Sequence, residues 1–115
     1  MAVAAHASGT QTATVTTEHS LSTLTAANTV TFHVDTVNMV AGDVVELRIY
    51  QIILTAGTKR VAYFVAYYGA QPTHDLIKIS VPISNELTDA SSLEFTLKQT
   101  FGTGRNFPWK VLKYF

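Results

Sequence analysis

Few residues in this chain have the type and spacing to do chemistry. Gly102-Thr103-Gly104-Arg105 has the glycines and the cation of a phosphate cradle, in which backbone amides line an anion. It lacks the Lys-Ser/Thr ending of a P-loop and opens no helix, so a hairpin turn is the expected role. The histidines His6, His19, His33 and His74 lack the short-range spacing that would set two of them on one metal ion. No metal site or cofactor is expected. The carboxylates are few and mostly alternate outward on strand-like stretches, so spacing pairs none for acid–base work. No serine sits in a Gly-x-Ser-x-Gly setting, and no nucleophile has a supporting base nearby in sequence. No catalytic residue is assigned, and the expectation is a protein that is not an enzyme.

The elements that would have to position any site are strands. Val45, Leu47 and Ile49 alternate with Glu46, Arg48 and Tyr50, the period of a strand with one face buried. After Thr55-Ala56-Gly57-Thr58, read as a tight hairpin turn with Gly57 at positive φ, the run Val61–Tyr68 has no clean polar face. That strand is expected to be covered on both sides. Val30, Phe32 and Val34 alternate with Thr31, His33 and Asp35, and Leu93, Phe95 and Leu97 with Glu94, Thr96 and Lys98. His33 is expected to face solvent. In Leu76–Ile83 the residues Ile77, Ile79, Val81 and Ile83 alternate with Lys78, Ser80 and Pro82, and Pro82 confines the strand to a sheet edge or a fraying end. The polar run Ser84–Ser92 is read as a loop. Trp109, Val111 and Lys113 share one face of a last, docked strand. With turn signals throughout and no amphipathic helix, the chain reads as an all-β antiparallel β-sandwich of about six or seven strands, a closed barrel being the alternative.

Composition bounds the way of life. A chain of 115 residues is one domain's worth. Charged residues make up only 14%, against roughly 25% in a typical globular domain. So little charge points to a surface that a partner covers. The net charge is zero, which speaks against nucleic acid as that partner, because phosphate binding relies on a clustered Lys/Arg excess. The charge is unevenly placed: no Lys or Arg precedes Arg48, while Glu18, Asp35, Asp43 and Glu46 do. There is no cysteine, no apolar run of membrane-spanning length and no signal-peptide pattern, so neither a membrane nor a small-molecule substrate is expected among the partners.

Residues 1–27 are rich in Thr, Ala and Ser and poor in large hydrophobes, and they are read as an extended N-terminal arm ahead of a sandwich domain over 28–115. Such an arm could add a strand to a neighbour's sheet. The candidate partner-binding residues are Thr10, Thr12, Thr14, Val15, Thr16 and Leu21 in the arm, and Tyr68, Trp109 and Phe115 beyond it.

The segments GDVVELRIY, AGTKRVAYFVAYYGAQ, KISVPIS and FTLKQTFGTGRNFPWKVL resemble short β-rich virion structural proteins of tailed bacteriophages, over about Asn28 to Leu112. The resemblance is most specific over Gly42–Arg48 and Thr96–Leu112, leaves out the N-terminal segment and carries over no catalytic residue. It implies a virion component made in the host cytoplasm. Within that class, low charge and a Thr/Ala-rich arm suit a capsid decoration or cement protein on the capsid surface, bound to the major capsid protein and to copies of itself, as a trimer. A tail, neck or fibre-associated protein is the second choice. A carbohydrate-binding β-sandwich module is the alternative from another class, and it requires exposed coplanar aromatics on one sheet face.

Overall fold

The computed structural model describes residues 1–88 and 92–115. The strands are β1 (Val3–Thr12), β2 (Glu18–Leu24), β3 (Thr29–Asp35), β4 (Val44–Gln51), β5 (Arg60–Tyr68), β6 (Ile77–Ile79), β7 (Ile83–Ser84), β8 (Leu93–Phe101) and β9 (Asn106–Tyr114). They form two antiparallel sheets packed face to face, a β-sandwich and not a closed barrel. The first sheet has the order β1-β9-β3-β6, with β7 pairing β3 further along; the second is β2-β8-β4-β5. One flank of the sandwich therefore ends in β1 and β2, the other in β5 and β6. His6 Nε2 lies 2.9 Å from the Thr23 carbonyl on the first flank, and the Lys78 ammonium sits 4.6 Å from the Tyr67 ring centre on the second.

The alternating strands bury the residues their period picks out. Val30, Phe32 and Val34 of β3, Val45, Leu47 and Ile49 of β4, and Leu93, Phe95 and Leu97 of β8 are all buried, with Phe107 and Val111 of β9. Phe32 and Phe95 meet across the two sheets at 5.5 Å between ring centres, tilted by 58°. That arrangement suits the aromatic quadrupoles.

Three expectations are corrected here. The N-terminal segment is no separate arm: β1 pairs with β9 and β2 with β8 of the same chain, so each sheet takes one edge strand from it. Backbone hydrogen bonds hold it, which is why its lack of apolar mass misleads. The Gly57 loop is no tight hairpin turn but spans 52–59, and the positive φ falls on Ala56, at 63°. Gly57 is needed for a different reason, since a Cβ there would lie 2.8 Å from the Leu54 carbonyl oxygen. Gly57→Ala is expected to cost about 1–3 kcal/mol, read as a lowered denaturation midpoint at unchanged m-value.

Third, Gly102–Arg105 is not a hairpin turn, because β8 and β9 lie in different sheets. It is a crossover pinned from below. Gln99, fully buried, donates through Nε2 to the Phe101 and Thr103 carbonyls and accepts at Oε1 from the Arg105 amide. The alternation around β6 has its apolar side outward: Ile77, Ile79 and Val81 are exposed while Lys78 and Ser80 are buried. The register sets Lys78 opposite Val34, hence on the inner face. Lys78 Nζ is satisfied there by Asp75 Oδ2 at 2.9 Å and by the Tyr67 ring, and the Ser80 hydroxyl accepts from the Phe32 amide at 2.9 Å. Pro82 falls in the break between β6 and β7, at the sheet edge where its missing donor costs least. The expected loop Ser84–Ser92 includes residues 89–91, which lie outside the described residues.

Candidate functional site

Among the described residues, two polar clusters and the apolar residues of the edge strands β5 and β6 are places that could meet a ligand. The first cluster lies on the outer face of the β1-β9-β3-β6 sheet, where cross-strand register lines up Ser8, Lys110, His33 and Ile79 in one row. A hollow of about 540 Å³ opens there, with Thr10, Asp35 and Ile77 on its walls. His33 is half-buried and not fully solvent-facing. Burial first, and the Lys110 charge second, push its pKa below the ordinary histidine value. The neutral imidazole has Nε2 2.8 Å from Thr31 Oγ1, which is 2.9 Å from the Tyr114 hydroxyl. Thr31 is 5% exposed, so this chain of groups offers no nucleophile to a substrate.

The second cluster crosses the outer face of the β2-β8-β4-β5 sheet. Glu18 accepts from the Tyr50 hydroxyl at 2.6 Å and from Thr96 Oγ1 at 2.7 Å. Glu94 accepts from Ser20 Oγ at 2.6 Å and is paired with Lys59. Burial works to raise both carboxyls, yet hydrogen bonds and nearby cations outweigh it and hold both below the usual carboxylate range. A carboxyl that low carries no proton to give at neutral pH, so neither is a general acid. Among the described residues no three His, Asp or Glu side chains converge to hold a metal ion.

The third feature is apolar. Register places Val61, Phe64, Ala66 and Tyr68 of β5 on the outer face of their sheet, opposite Tyr50, Arg48, Glu46 and Val44. Phe64 is 50% and Tyr68 71% exposed, and Ile53 and Leu54 in the loop before β5 are more than two-thirds exposed. Ile77 and Ile79 of β6, with Val81 after them, are exposed on the outer face of the other sheet. The strand expected to be covered on both sides is thus a sheet edge with one open face. A monomer leaves single apolar residues exposed without consequence, but a row of them along an edge strand marks an interaction surface.

The sequence-derived candidates are not gathered into one site. Thr10 and Thr12 are on β1 at the opposite flank, with Thr12 Oγ1 donating to Asn106 Oδ1. Thr14, Val15 and Thr16 form the turn into β2, where the Thr14 amide donates to His19 Nε2 and Thr16 has a φ of 71°. Leu21 sits at the β2 bulge, packed against the core, and Trp109 packs against the core from β9. Phe115 is exposed beneath the Lys113 ammonium, and its amide donates to the Ala2 carbonyl. Of the nine, only Tyr68 belongs to the apolar flank. Sequence reasoning missed Phe64, Ile77 and Ile79. The signal for the last two was Asp75 three residues before Lys78, an ion pair that can hold the lysine indoors. Compared with models of known protein families, with characterised proteins and with solved structures, the chain matches none.

Proposed function

We propose that this chain is a structural, non-catalytic component of a tailed-phage virion, first of all a capsid decoration or cement protein. The observation that carries the assembly reading is the flank of outward apolar residues on β5 and β6, with the isoleucines of β6 outside and its lysine inside. A chain with 14% charged residues that still turns such rows outward has a surface suited to a protein partner. The virion itself is suggested by the resemblance of Gly42–Arg48 and Thr96–Leu112 to phage structural proteins. The clamp on the major capsid protein runs through sheet edges and apolar rows, because the N-terminal segment is already bonded within its own sheets.

The test is cosedimentation with assembled particles, followed by counting copies. A capsid role gives a stoichiometry on the order of hundreds per particle, set by shell symmetry, and a neck, tail or fibre role about a dozen or fewer. Absence from purified particles overturns the virion reading. A second reading, carbohydrate binding, is favoured by the hollow with Ser8, Thr10, His33, Asp35 and Lys110 around it. Trp109 lines that hollow while packing partly buried against the core, and no second Phe, Tyr or Trp stands beside it there to make the aromatic platform expected of such modules. Glycan titration monitored by the chemical shifts of these five residues separates it from the assembly reading.

A further inference from the structure

We propose that two copies of this chain pair antiparallel along β5, about a two-fold axis at Ala66, joining their β2-β8-β4-β5 sheets into one. Exposed sheet edges are normally guarded by bulges, short length, proline or charge. Three of the four edges here are guarded. β1 is bulged between Ala5 and Ala7, β2 between Ser20 and Ser22, and β6 is three residues long and runs into Pro82. β5 is bulged too, at Ala62, but beyond the bulge Tyr63–Tyr68 runs on without proline, glycine or charge, whereas Gly9 follows the bulge of β1 and β2 ends three residues after its own.

The occupant is a second copy because the edge is complementary to itself. In an antiparallel pair, residues directly opposite point to the same face. An axis at Ala66 sets Phe64 against the partner's Tyr68 on the outer face, and Tyr68 against the partner's Phe64. The two most exposed rings of the strand then cover each other, at the spacing where cross-strand aromatic pairs attract. Val65 meets the partner's Tyr67 on the inner face, and the small Ala66 lets the chains approach at the axis. An axis at Val65 would leave Phe64 against an alanine, and one at Phe64 would use the irregular Ala62. The charges agree as well. Arg60 opens β5, and the antiparallel partner brings past it the loop after its Tyr68, which carries an Asp75 with a side chain 59% exposed.

Sedimentation of the full chain over a concentration series is expected to show reversible association to twice the monomer mass. Tyr68→Lys, at an exposed position that the fold does not depend on, is expected to weaken it by about tenfold or more. The chain has no cysteine, so Ala66→Cys gives one thiol per copy at the axis. Antiparallel partners lie within the Cα separation that a disulfide accepts. Mild oxidation is expected to crosslink Ala66→Cys into a dimer much faster than Thr23→Cys on the opposite flank. A monomer at every concentration, a Tyr68→Lys variant that associates as well as the wild type, or equal crosslinking of the two cysteine variants overturns the pairing. The pairing rests on β5 alone and not on the virion reading: a monomer that still binds particles sinks the first and leaves the second standing.

Discussion

Replacing Asp43 by alanine is expected to lower the stability of the folded chain by about 3 kcal/mol, measured by urea denaturation at neutral pH. Asp43 is 1% exposed and joins two regions far apart in sequence. Its Oδ2 accepts from Arg105 Nε at 2.8 Å and from the Val40 amide at 3.0 Å, while the Asp43 amide donates back to the Val40 carbonyl at 3.1 Å. One carboxylate thus closes the turn into β4 and anchors the crossover between β8 and β9. Breaking a buried ion pair by removing one partner costs about 3–5 kcal/mol when the other charge is stranded. Arg105 keeps 28% exposure and can turn toward water, which places the cost at the low end of that range. Gly102 provides an independent check. Its φ is +90°, and a Cβ there would fall 1.9 Å from Asp43 Oδ1, so Gly102→Ala must displace the same carboxylate. A cost from Gly102→Ala below about 1 kcal/mol would show that the carboxylate is not held where its partners place it.

The pH dependence follows from the same contacts. Burial pushes Asp43 up, but the Val40 amide and the Arg105 guanidinium outweigh it, and the folded-state pKa lies below the ordinary aspartate value. A depressed folded pKa means that the stabilisation is fully present above the unfolded value of about 3.9 and is lost as the pH falls through the folded value. Wild-type stability should therefore fall below about pH 4, and Asp43→Ala should lose less over that interval. Glu18 and Glu94 are shifted the same way on the more solvent-accessible sheet face, so part of the acid sensitivity remains in the variant.

Period-two alternation identified the buried faces of β3, β4 and β8 because each has large apolar residues on one side and groups content with water on the other. At β6 it could not choose the buried face, for a physical reason. Alternation separates two faces but does not say which is inside, and Lys78 finds a carboxylate and a ring indoors while Ile77 and Ile79 remain outside. At β5 the absence of a polar face suggested burial on both sides, when an edge awaiting a partner has the same composition. The Asp43–Arg105 pair spans a separation along the chain at which no local pattern could announce it. The same holds for Gln99, a polar residue at full burial whose three bonds all go to the loop that follows it.

Removing residues 1–20 is expected to abolish cooperative folding, measured as the loss of a sigmoidal thermal transition and of dispersed amide resonances. A free arm would detach without harm. Here β1 pairs with β9 from Val3 to Thr12, and β2 pairs with β8 from Glu18 to Leu24, so the deletion strips the whole edge strand from one sheet and the first three residues of the edge strand, Glu18 to Ser20, from the other. It also removes Ala13, 95% buried at the corner between the sheets, whose amide donates to the Arg105 carbonyl at 2.9 Å, and the bond from the Thr16 amide to the Gln99 carbonyl at 2.7 Å. The inner faces of β9 and β8, with Phe107, Val111 and Leu97, lose a neighbouring strand together with its backbone partners. Each buried backbone group left without a partner costs about 1–3 kcal/mol, and several such losses exceed the about 5–15 kcal/mol by which a domain is usually stable. Adding the missing peptide in trans separates this account from simple aggregation of a shortened chain. If the segment acts as two sheet edges, the peptide restores dispersed resonances at a saturable concentration, and a truncated chain that folds without it would return residues 1–20 to the status of a free arm.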